Sequence, residues 1–180
     1  MRSQRQNWLL IVICVLVSCR NDSGKREIQS LNKEKFSSRE KRDEAKFLVD
    51  VIDKSHALLQ LGSLGEQQLP DTMERKLAHE FVERHRKVTL RLKTYAESID
   101  ITIPLSGQFD STRNFERFAG MLPEKLNDAW NTQVSKLNSR LLDDLRKYRN
   151  EASDSLRVLL DTTTHLMSRN SVLLDSLRKH

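Results

Sequence analysis

Few side chains in this sequence combine a reactive type with a setting where the reactivity could be used. His85 stands between Phe81 and Val88 on an otherwise apolar stripe, Leu77, Phe81, His85, Val88, Leu92, Tyr95, Ile99, spaced in steps of three and four. Asn170 interrupts a second stripe between Leu166 and Leu173. Asn138 flanks a third, four residues after Val134, and Thr163 is also expected to face inward. A histidine in such a place can hold a metal, move a proton, or simply be paired in the core. One histidine, two carboxamides and no inward carboxylate make a poor ligand set for iron or manganese. The chain has no Glu-x-x-His, no His-Glu-x-x-His, no glycine-rich phosphate loop and no recognisable serine or cysteine nucleophile motif. His79 and Glu80 fall off the stripe and are expected in solvent. No catalytic residue, metal ligand or cofactor is therefore assigned. A polar group left unpaired in a helical core costs about 1–3 kcal/mol, so His85, Asn138 and Asn170 are expected to pair with each other, with backbone or with water.

Only long helices could carry these stripes. Five glycines and three prolines in 180 residues leave few turns. From Arg39 the apolar residues take helical spacing. The first stripe runs from Phe47 through Val51, Ile52 and Leu58 to Leu64, with Gly62, Gly65 and Pro70 marking a ragged end. The second helix starts after Pro70, with Asp71 or Thr72 as N-cap. Residues 100–113 read as a loop, since Pro104 and Gly107 oppose a helix, and a short turn around Phe115 and Phe118 leads to Gly120. Pro123 suits the first turn of a third helix carrying Leu126, Trp130, Val134 and Leu141. A fourth follows, from Leu156 to Leu177. No β-type alternation competes. Four amphipathic helices bury their stripes best against one another, so the expected fold is all-α, an antiparallel four-helix bundle over residues 40–180.

The start of the chain is different. Arg2 and Arg5 precede an unbroken apolar run, Trp8 to Val17, which is too short for the ~20 residues a membrane span needs and has the length of a signal-peptide core. The end of that run, Leu16-Val17-Ser18-Cys19, resembles the lipobox of bacterial lipoproteins. The resemblance implies cleavage before Cys19, a diacylglyceryl thioether on its sulfur and acylation of the new amino terminus. Each buried methylene contributes ~0.8 kcal/mol and stable anchoring takes more than one chain, a requirement such a cysteine meets. Residues 1–18 are thus expected to be a lipoprotein signal peptide, and residues 19–39 the lipid anchor and a flexible tether, rich in Ser, Asn, Lys and Arg without apolar periodicity. Cys14 would leave with the leader, so the mature chain could form no internal disulfide.

Loss of Arg2 and Arg5 lowers the Lys and Arg total from 31 to 29 against 25 acidic residues, a net charge of +4. Both signs are interleaved, which describes solvated helix faces. No concentrated basic stripe suggests nucleic acid as a partner. Lys33, Lys35, Arg39, Lys41 and Arg42 form a loose basic group, read as part of a solvated linker.

Residues 44–177 resemble a bacterial family, the domain of unknown function numbered 4142, whose members are described as exported or outer-membrane proteins. The matching stretches are Glu44-Ala45-Lys46-Phe47-Leu48, Leu61-Gly62-Ser63-Leu64, Arg75-Lys76-Leu77-Ala78 with Glu83-Arg84-His85, and Ile101-Thr102-Ile103-Pro104. Ala129-Trp130 stands where the family usually has Ala-Tyr. The resemblance implies a ferritin-like bundle. It also implies that the family's inward Glu falls on Leu58 and its further histidines on Asn138 and Asn170, with only His85 keeping its counterpart, so that His85, Asn138 and Asn170 mark vestigial ligand positions. The function expected is a non-catalytic envelope lipoprotein, lipid-anchored and facing the periplasm from the outer membrane, that presents the bundle as a binding or structural module. The alternative is a ferritin-like metal-binding or redox protein with a degenerate site.

Overall fold

The computed structural model describes residues 20–104, 118 and 120–177, the side chains of residues 20–23 and 177 aside. The leader, Cys19 and the turn around Phe115 lie outside the described residues. Within them the chain forms five helices: α1 (Arg20–Lys35), α2 (Arg39–Gln68), α3 (Thr72–Ser98), α4 (Pro123–Tyr148) and α5 (Asp154–Leu177). None is long and apolar enough to cross a membrane.

Local chemistry explains the helix starts. Ser38 caps α2, accepting from Lys41 N. Of the two N-cap candidates in the sequence, Asp71 and not Thr72 caps α3, its Oδ1 accepting from Met73 N at 2.7 Å and Glu74 N at 3.1 Å. Pro123 opens α4, where its missing N–H costs nothing. Gly120 precedes it at φ +80°, a conformation that suits only glycine well.

α2 pairs with α3 and α4, and α5 closes the ring against both. Contacts set the directions. Phe47 stacks on Tyr148 at 3.9 Å and Trp130 Nε1 donates to Leu61 O at 2.6 Å, so α2 and α4 are antiparallel. Glu66 pairs with His79, and Tyr95 with Glu44, so α2 and α3 are antiparallel too. Asn127 bonds Glu74 and Trp130 meets Phe81, so the diagonal pair α3 and α4 runs parallel. Ser98, which ends α3, and Pro123, which opens α4, therefore stand at opposite ends of the bundle, a crossover. One such crossover is the connectivity of ferritin-like bundles.

Two expectations need correction. Gly62 and Gly65 do not fray the end of α2, which continues to Gln68. They are points of close approach: a Cβ on Gly62 would lie 2.5 Å from Val82 Cγ2, and one on Gly65 2.6 Å from Trp130 Cε2. From Arg20, the tether expected over residues 19–39 is a helix folded back antiparallel on the outer side of α2. Ile28 packs on Val49, and Lys25 sits between Asp50 at 2.8 Å and Asp53 at 3.0 Å. Asn32, only 2% exposed, donates to Thr102 O at 2.7 Å and accepts from Thr102 N at 2.8 Å. Its inner stripe holds one aliphatic residue among polar ones, which is why no apolar period betrays it. Part of the basic group is also engaged, Lys35 with Asp100 at 2.7 Å and Lys41 over the Phe36 ring.

Candidate functional site: a neutral polar layer

The apolar stripes meet in one core centred on Trp130, Phe81, Leu58, Leu92 and Leu141. Within it lies a polar level. His85 and Asn170 are fully buried, and Asn138 is 1% exposed. α3 positions His85 one turn after Phe81, whose ring centroid lies 4.3 Å from the imidazole's. α4 positions Asn138, whose Nδ2 donates to Ser171 Oγ at 2.9 Å and to Met167 O at 3.4 Å across on α5. Asn170 is therefore beside Asn138. Arg84 Nη1 donates to Arg169 O at 3.2 Å, which sets the same part of α5 against the turn carrying His85. Leu58 lies on α2 between Phe47, stacked on Tyr148, and Gly65, under Trp130, so it fills the remaining corner. The sequence places these four residues on four helices; the structure brings them to one height.

A second polar level lies one turn along. Thr89 Oγ1 donates to His85 O at 2.9 Å, and the antiparallel registers bring the fully buried Ser55 and Thr163 close to it. Thr163 is inward as expected. Ser55 and Asn131 escape sequence reading, although both have signals: Ser55 stands three residues from Ile52 and from Leu58, and Asn131 is one heptad before Asn138. Asn131 Nδ2 donates to Leu174 O at 3.3 Å. His79 and Glu80 are outside the core, paired with Glu66 and Arg84.

The electrostatics follow from burial. Loss of water around the imidazole pushes the His85 pKa down to about 3, with Asn138 opposing the shift. The ring is neutral at ordinary pH, offering one donor and one acceptor. Among the described residues, no charged side chain contributes to the shift. Among the described residues, no group of three or more His, Cys, Asp or Glu side chains stands where it could hold a metal ion. One imidazole, two amides and Leu58 do not fit a divalent cation, which would be buried there without a compensating anion.

Among the described residues, several surface clefts lie around the bundle, and three of them bear on the polar layer. One of about 230 Å³ lies between α2 and α4 beside Phe47, Lys54, Asp144 and Tyr148. One of about 280 Å³ lies at the end of the bundle, where Tyr95 donates to Glu44 Oε1 at 2.8 Å. The third, about 350 Å³ between α4 and α5, is lined by Thr132, Ser135, Ser139 and Ser171, and by Asn138 at its inner side. None of the three is lined by His85.

Fold and site together define a helical bundle with a single crossover and an enclosed, uncharged polar layer. Compared with protein-family models, curated proteins and solved structures, the chain matches none.

Proposed function

We propose that this chain is the precursor of a bacterial lipoprotein, cut before Cys19 and held to the envelope by lipid on that cysteine. Its bundle faces the periplasm, from the outer membrane, as a non-catalytic binding or structural module. The observation that carries the reading is Leu16-Val17-Ser18-Cys19 directly behind a short apolar run with two arginines before it. The fold that follows supports it: the helix behind the cysteine, α1, rests on a bundle with its own core. The non-catalytic part is supported by His85, which is enclosed between neutral amides and phenyl ring rather than presented to a cleft. A relation to the domain of unknown function 4142 belongs to the same proposal. It is supported by the crossover connectivity and by the shared level of Leu58, His85, Asn138 and Asn170. In this reading those positions are an ancestral polar site that no longer carries a metal ligand set.

Growing cells with a fatty-acid analogue and fractionating their membranes tests the anchor. The wild-type protein should take up label and sediment with the outer membrane. Cys19→Ala should take up none and lose that association. Equal labelling of both proteins, or a soluble wild type, overturns the proposal.

A further inference from the structure

Seven polar atoms in the core make no well-formed hydrogen bond among the described residues: His85 Nδ1 and Nε2, Asn138 Oδ1, both amide atoms of Asn170, Ser55 Oγ and Thr163 Oγ1, although Asn138 stands close enough to the imidazole to act on it. Their side chains are all at most 1% exposed. Buried polar groups are rarely left in this state, and each orphan is costly. Their chemistry limits what could complete them. The Asn138 NH2 is committed to Met167 O and Ser171 Oγ, which leaves its carbonyl as a pure acceptor. The neutral imidazole supplies one donor and one acceptor, and Asn170 supplies both kinds. A cation there would meet no carboxylate and an anion no ammonium or guanidinium, so the complement must be neutral. It must also donate and accept within one small volume. Water does both, and buried waters typically make about three hydrogen bonds to otherwise unpaired groups. Asn138, buried itself, is also one of the residues lining the hydroxyl-rich α4–α5 cleft of about 350 Å³, together with Ser171.

We propose that the layer of His85, Asn138 and Asn170 is a built hydration site, holding ordered water that bridges the imidazole to the two amides. The water exchanges through the α4–α5 cleft, with Asn138 standing between cleft and core. The site does not depend on the lipid anchor.

Two measurements on the full-length protein test it. In wild type, magnetisation transfer between solvent and the His85 ring protons should reveal long-lived water at the imidazole. A ring with no such contact, or with both nitrogens bonded directly to asparagine, overturns the proposal. The second measurement is the melting temperature of Asn170→Leu. In a hydrated layer the leucine displaces water and strands His85 and Asn138, so the variant melts lower. In a dry layer it removes two orphaned atoms and adds apolar contact, so an unchanged or higher melting temperature overturns the proposal. Should Asn170→Leu fail to fold, the solvent contact in wild type decides alone.

Discussion

Two levels of the same core, one around Trp130 and one around His85, solve opposite problems. At the Trp130 level every large group has a complement. Gly65 leaves room for the indole, Leu61 O accepts its N–H at 2.6 Å, and Phe81 meets its edge with centroids 6.5 Å apart. One turn of α3 further on, the His85 level spends comparable volume on groups that apolar packing cannot satisfy. The first level supplies stability through burial and close approach. The second places an imidazole and two amides where apolar packing leaves their polar atoms unpaired, a cost that the first level avoids. The difference teaches that neighbouring turns of a bundle core can serve separate ends.

The comparison breaks most readily at the indole. Trp130→Ala removes the largest buried side chain and its hydrogen bond, and should cost about 3–5 kcal/mol in chemical denaturation. A loss below about 1 kcal/mol would mean that the level does not hold the bundle together.

Acid sharpens the contrast. His85 stays neutral in the fold down to about 3, whereas in the unfolded chain it titrates near its ordinary value of 6.5. Between these values the unfolded state binds the extra proton, so stability falls as pH falls, by about 1.4 kcal/mol per pH unit. From pH 6.5 to 4 the His85 contribution should amount to about 3 kcal/mol. His85→Phe, followed through denaturation midpoints at a series of pH values, should flatten the profile by one proton. A variant profile parallel to wild type would assign the acid sensitivity elsewhere.

The smallest effect is expected outside the core. Asn32→Ala removes both bonds to Thr102, worth about 1–2 kcal/mol for α1 docking. Hydrogen exchange should speed up in α1 while α4 and α5 remain protected. Uniform loss of protection would make α1 an integral part of the bundle.

Much of this was legible in the chain itself. The stripes locate α2 to α5, Asp71 and Pro123 mark two starts correctly, and His85, Asn138 and Asn170 are buried because they occupy stripe positions. Spacing along one helix carries no information about height relative to another, so the convergence of these residues waited for the registers fixed by Trp130, Phe47 and Arg84. Glycine misled because its usual role at helix ends matched Gly62 and Gly65, where close helix approach was the real requirement. α1 was hidden because Asn32 and Lys25 do through hydrogen bonds and ion pairs what apolar residues do elsewhere.

The antiparallel fold-back of α1 has a mechanical consequence. A pull applied at its amino-terminal end, where Cys19 precedes it, acts on a hairpin whose other end is fixed at the Ser38 turn. The contacts then carry the load in succession, not in parallel: Lys25 with Asp50 and Asp53 first, then Ile28 on Val49, then Asn32 on Thr102. Such a zipper opens contact by contact rather than all at once. Its 16 residues would release a lever of about 24 Å if they stayed helical. Under the proposed attachment at Cys19, the bundle would give at its mooring without loosening its core.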